Sequence, residues 1–172
     1  MGNPVLRHKA GKLTPQEIKT PENQRLIDNM IETMREYDGV GLAGPQVHES
    51  KRIILIEVME NPGDPQTSEI PLSILINPVI TPLTDEKIPG WEGCLSIPDI
   101  RGKVPRYTKI QVNALDRNGK VLNFKADGFY AVVIQHETDH LDGILFLDRV
   151  EDMSTLTYLT EYARYWVERE NE

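Results

Sequence analysis

The chain has 172 residues, a net charge of −8 and a hydrophobic fraction of 39%. That length suits one domain with a sizeable core, and the acidic balance argues against a broad nucleic-acid surface. No apolar run approaches about 18 residues, so no helical membrane span is expected, and Met1-Gly2-Asn3-Pro4 opens no signal peptide.

Thr20 before Pro21 reads as a helix start, and Leu26, Ile27, Met30, Ile31 and Met34 fall on one face of a helix predicted over 21–37. The isoleucine-rich stretch 51–59 predicts a strand. Residues 60–71, with Pro62, Gly63 and Pro65, read as a polar surface loop. A further strand over 72–81 is broken by Pro78. Strands over 109–116 and 120–126 flank Arg117-Asn118-Gly119, a hairpin signal built on Asn-Gly. The stretch 155–170 is amphipathic, with Leu156, Leu159, Ala163, Trp166 and Val167 on one side. The sum predicts one α+β domain over 1–172: antiparallel strands packed around a central helix, with an N-terminal helix and a C-terminal amphipathic helix.

The central helix carries the most informative residues, His136-Glu137-Thr138-Asp139-His140. Positions i and i+4 share a helix face, so both imidazoles can point at one metal ion. Glu137 stands beside the first of them, close enough to exchange a proton with metal-bound water. Upstream, Asp127 can cap the helix, and Phe129, Val132, Val133 and His136 continue one apolar stripe. Gly143 suits a left-handed residue at the helix end.

Two histidines need a third protein ligand and an open position to make a catalytic site. One protease pattern would put a histidine where this chain has Phe146, which excludes that arrangement. Glu161, from a later helix, is one candidate. Cys94 is the other; as the single cysteine it forms no intramolecular disulfide, which suits a reducing, cytoplasmic setting. Gly90, Gly93 and Pro98 around it read as a shaped loop rather than a core strand. A closed structural site would need a fourth ligand, and His8 and His48 lie remote from every motif.

Three segments in order carry a family resemblance: Gly39-Val40-Gly41-Leu42-Ala43-Gly44-Pro45-Gln46, Glu92-Gly93-Cys94-Leu95-Ser96 and Gln135-His136-Glu137-Thr138-Asp139-His140. Together they resemble the signature motifs of the peptide deformylases, and the likeness runs from Asn3-Pro4-Val5-Leu6-Arg7 to about Val150. One departure is Gly44, where the family usually has alanine; it leaves Gln46 in register and bears on local loop rigidity. The start at Met1-Gly2 also looks short against the family.

The residues allow the chemistry to be assembled. Cys94, His136 and His140 make a sulfur–nitrogen–nitrogen site with a fourth position for water. A metal there lowers the water's pKa towards neutrality, and the resulting hydroxide attacks a formyl carbon. Glu137 serves as general base and then general acid, while the Gln46 side-chain amide and the Leu95 backbone N–H face the oxyanion. The resemblance implies Fe(2+) as the physiological ion, with zinc or another divalent metal able to replace it. It further implies a substrate of N-formyl-methionyl nascent peptides, met through transient, local ribosome contact. A methionine pocket would be lined by Val40, Gly41, Ile97, Phe129, Val132 and Val133. The resemblance also implies that Arg101 pairs with Glu92 behind the site.

Overall fold

A computed structural model describes residues 1–59 and 69–167. The chain enters through a 3-10 turn, Pro4–Arg7, and a short helix α1, Pro15–Ile18. Thr14 and Glu17 close a capping box around α1. Helix α2 then spans Pro21–Glu36; the Thr20 hydroxyl accepts from the Asn23 N–H, and Pro21 opens the first turn, as its sequence predicts.

Strands β1 (Gly41–Ala43), β2 (Ile53–Val58), β3 (Ile70–Pro82), β6 (Lys109–Leu115) and β7 (Val121–Asp127) form one antiparallel sheet in the order β1-β2-β3-β6-β7. Strands β4 (Lys87–Cys94), β5 (Ile97–Tyr107) and β8 (Thr157–Tyr158) form a second, in that order. Helix α3, Gly128–Leu141, follows β7, and α4, Leu159–Tyr165, follows β8.

The isoleucine run of β2 has a simple cause: both faces of the strand are covered. Ile53 and Leu55 pack with Ile27, Met30 and Met34 of α2, whereas Ile54, Ile56 and Val58 pack with Ala131, Val133 and Ile134 of α3. Side chains alternate across a strand, so a strand buried on both faces loses its polar positions. A third cluster, Leu6, Cys94, Ile97, Val104, Leu145 and Phe146, carries the smaller sheet. No helix among the described residues is long and apolar enough to cross a membrane.

Several expectations need correction. β3 includes Ile70 and Pro71, which the sequence assigned to a loop, and it survives Pro78 through a register shift between Ile76 and Val79. Asn77 takes a left-handed φ of 52° there, and its amide bonds both backbone groups of Leu13, which fixes the kink. The remainder of the expected loop, 60–68, lies outside the described residues. The segment around Cys94 is a strand hairpin, not an irregular loop: Cys94 ends β4, pairs with Ile97, and leaves only Leu95 and Ser96 at the turn.

The stretch predicted as one helix over 155–170 divides instead. A 3-10 turn ends at Thr155, β8 pairs Thr157 and Tyr158 with Arg101 and Ile100, and only then does α4 begin. β-branched and aromatic side chains fit that pairing, which captures them before the helix starts. Ala163 and Val167 are exposed, while Trp166 and Tyr162 meet Trp91 of β4 with ring centroids 5.3 and 4.9 Å away. Residues 168–170 lie outside the described residues.

Candidate active site

Helix α3 runs between the two sheets, and its C-terminal half is buried from Val133 to Leu141. Both imidazoles, His136 and His140, are buried there, and polar rings on a buried helix have a cost that a ligand can offset. Asp127 stands at the cap position, but its side chain makes no capping bond; Gly128 turns the chain into the helix with a φ of 54°. Gly143 takes the left-handed conformation its position calls for.

Facing α3, the alternation along β4 turns Glu92 and Cys94 inward. The ligand atoms of Cys94, His136 and His140 lie within 4.8 Å of one another. Cys94 Sγ is 3.2 Å from His140 Nε2, and His136 Nδ1 is 2.8 Å from Glu92 Oε2. A carboxylate on the far nitrogen of an imidazole is the usual device for aiming its other nitrogen at a metal. Among the described residues no fourth cysteine, histidine or carboxylate joins this group, and Glu161 stands exposed on α4. The set fits a divalent ion that accepts one thiolate and two imidazoles and keeps an open position, as a catalytic centre does.

Glu137 is 4% exposed, and its Oε2 has no hydrogen-bond partner. Burial pushes its carboxyl up to about 7, poised to change protonation state near neutral pH. His140 is driven down to about 3, first by burial and then by the neighbouring His136. Burial also disfavours a charged His136, but hydrogen bonds to Cys94 and Glu92 outweigh it and hold that ring at about 10.

The glycines of the first motif have steric causes. A Cβ on Gly41 would come within 2.5 Å of Glu137 Oε1, and one on Gly39 within 3.0 Å of Leu95 Cδ1. Gly44 would put a Cβ 2.6 Å from the Lys51 carbonyl oxygen, so this departure from alanine accompanies a tight backbone approach rather than a loosened loop. Gln46 closes the motif. Its carbonyl accepts from the Ala43 N–H at 2.7 Å, which turns the amide so that Nε2 donates to Cys94 Sγ at 3.6 Å.

The expected Arg101–Glu92 pair is not formed. Arg106 holds Glu92 instead, with Nε on Oε1 at 2.7 Å and Nη2 on Oε2 at 3.0 Å. The Arg101 guanidinium donates to the Ile100 carbonyl and lies against Gly93, where any Cβ would be 2.0 Å from it. The strand period carried the missing signal: Gly102, Val104 and Arg106 are the inward positions of β5, and Arg101 is not. Sequence reasoning also overlooked Asp139 and Arg149, which extend the same ionic chain.

The six pocket candidates separate into two sets. Val40 and Phe129 are exposed and Val132 is half-buried, so they offer surface to a ligand. Gly41 is buried beneath Glu137, Ile97 is enclosed in the Cys94 cluster and Val133 in the core under the larger sheet. Leu95 is 43% exposed at the hairpin turn, and the N–H of Ser96 that follows it donates to Cys94 Sγ at 3.4 Å.

An α+β scaffold that brings one thiol, two imidazoles and an unpartnered buried carboxyl together has the make-up of a metallohydrolase. Comparison with known proteins narrows the class. The polypeptide deformylase family model matches residues 1–155. Peptide deformylase 2 of a Nostoc species is 44% identical over 161 residues, covering 94% of this chain and 88% of the relative. Peptide deformylase 1 of Nitrosomonas europaea is 41% identical over 158 residues, covering 92% and 89%. Among solved structures, the class I type b peptide deformylase of Acinetobacter baumannii superposes with a TM-score of 0.82 at 39% identity, covering 87% of this chain and 94% of that one. The Thermotoga maritima peptide deformylase gives 0.78 at 36% identity, covering 88% and 95%. The chain belongs to the polypeptide deformylase family and is a hydrolase of that family.

Proposed function

We propose that residues 1–172 form a single catalytic domain that removes the N-terminal formyl group from formyl-methionine of newly made polypeptides and releases formate. The observation that carries this reading is the convergence of Cys94, His136 and His140 within 4.8 Å, with the unpartnered carboxyl of Glu137 buried beside them. That the A. baumannii relative was solved with Met-Ala-Ser bound supports a substrate beginning with methionine.

Cys94, His136 and His140 would hold the metal, which we assign as Fe(2+). When bound, it supplies a Lewis acid that makes water nucleophilic near neutral pH. Glu137 then has two tasks. Unprotonated, it takes the proton of the attacking water; protonated, it gives that proton to the departing amine, and a carboxyl at about 7 serves both. Gln46, its amide turned by Ala43, and the Leu95 N–H donate to the oxygen that gains charge at the former formyl carbonyl. Glu92, clamped by Arg106, keeps the His136 ring in one orientation.

Val40, Phe129 and Val132 supply apolar surface for the methionine side chain, with Gly41, Ile97 and Val133 behind it. An unbranched thioether adapts to such a wall better than a branched side chain does. We assign the enzyme to the cytoplasm, in transient contact with the ribosome, because a substrate of newly made polypeptides would be met there.

The test is formate release from formyl-Met-Ala-Ser by protein prepared without oxygen and loaded with iron(II). Aerobically purified protein is expected to be far less active, because oxygen attacks the metal or the thiolate. Equal rates for the zinc and iron forms would remove the iron assignment.

A further inference from the structure

On the deformylase reading, we propose that Arg149 is a positioning residue for the metal centre, acting through Asp139, Arg106 and Glu92 on His136. These side chains form one unbroken chain. Arg149 donates to both Asp139 oxygens, Nε to Oδ2 at 3.1 Å and Nη2 to Oδ1 at 2.8 Å. Asp139 Oδ2 in turn accepts from Arg106 Nη1 at 2.6 Å. Arg106 spends its remaining fork on Glu92, whose Oε2 meets His136 Nδ1 at 2.8 Å.

The charges explain why the last member matters. Glu92, Arg106 and Asp139 are all buried, so two carboxylates share one buried guanidinium. Left alone, Asp139 would compete with Glu92 for Arg106 and draw its fork away from the residue that aims His136. Arg149 supplies the fourth charge and satisfies Asp139 from the outside. Its neighbour Asp148 does not divert it, being held by Arg7 and by the Leu145 N–H at 2.8 Å.

Arg149 itself is 46% exposed, beside a cavity of about 350 Å³ that also touches Lys87, Tyr107 and Asp139. An ion pair so exposed contributes little to global stability. Its reach into the buried chain is what singles it out.

The test uses the full chain and zinc alone, with affinity measured by competition against a chromogenic chelator under anaerobic conditions. Removing a partner one bond from a ligand histidine costs about 10–100-fold in metal affinity. Arg149→Met, acting from further out, should weaken zinc by roughly three- to tenfold, and Arg149→Lys should recover part of that loss. In a Glu92→Gln background the Arg149→Met effect should vanish, because the chain is already cut. Unchanged zinc affinity in Arg149→Met overturns the proposal, as does an equal loss in both backgrounds, which would mark a purely structural role.

Should Glu92→Gln fail to fold, cobalt(II) gives a second reading. Its thiolate and ligand-field absorption bands should shift in Arg149→Met and return towards the parent in Arg149→Lys; bands unmoved by Arg149→Met contradict the claim. No substrate enters these measurements, so they can fail while formate release by the parent protein stands, and the reverse.

Discussion

At the scale of single residues, function depends on side chains held at short range by atoms that leave no slack. Gly41 is the case that bears on Glu137, which occupies the space a methyl group would need. Gly41→Ala should therefore displace the carboxylate while sparing Cys94, His136 and His140. We expect metal content to hold and turnover to fall by about tenfold or more, the order of loss that misplacing a catalytic group brings. Metal analysis and initial rates on one preparation check this. Val133 gives the opposite expectation. It is 5% exposed in the core under the larger sheet, so Val133→Asp buries an unpaired charge. Stability should drop by roughly 3 kcal/mol or more on denaturant unfolding, without a selective change among formyl-Met, formyl-Val and formyl-Ala. A stable variant with altered preference would return Val133 to the pocket surface.

At the scale of elements, α2 is fastened to β2 by an ion pair as well as by its apolar face. Arg35 Nε and Nη2 meet Glu57 Oε2 and Oε1 at 2.7 and 2.8 Å. The hydrogen bond from Arg35 holds the Glu57 carboxyl below its ordinary value of 4.5. A lowered folded-state pKa means that this stabilisation is complete above the unfolded value and is lost as pH falls through the folded one. Glu57→Gln should thus flatten the acid limb of the stability curve below about pH 5 and leave its neutral region with the smaller pH slope it already has. Urea unfolding at stepped pH reads this directly; an unchanged acid limb would mean that the pair adds nothing. The elements also show what periodicity can carry. α2 and the β6–β7 hairpin were legible because cap, period and Asn-Gly turn agree within each segment. The C-terminal stretch was not, because pairing between β8 and β5 decides where its helix begins.

At the scale of the whole molecule, the candidate ligands were legible because each sits in a contiguous motif whose spacing expresses its chemistry. His136 and His140 lie one helical turn apart, and Cys94 is the single cysteine. The charges behind them were only partly legible: the period of β5 marks Arg106, but its pairing with Glu92 and Asp139 joins separate elements whose register only the fold sets. Glu92 pairs with Gly102, and Arg106 faces inward in phase with Gly102 and Val104 while Arg101 does not; the register shift between Glu92 and Cys94 falls beyond that run, towards Ile97. The alternation of β5 separates Arg106 from Arg101, but which face of that strand meets Glu92 follows from the pairing of β4 with β5 and not from either segment alone. All of this machinery converges on one claim, that Glu137 moves the proton while Cys94, His136 and His140 hold the metal. The most direct measurement is formate release from formyl-Met-Ala-Ser by the parent protein and Glu137→Gln at equal, measured iron content. The parent should release one formate per peptide, and Glu137→Gln should bind the same iron yet turn over at least about a hundredfold more slowly. No formate from the iron-loaded parent, or an undiminished rate in Glu137→Gln, would contradict the account.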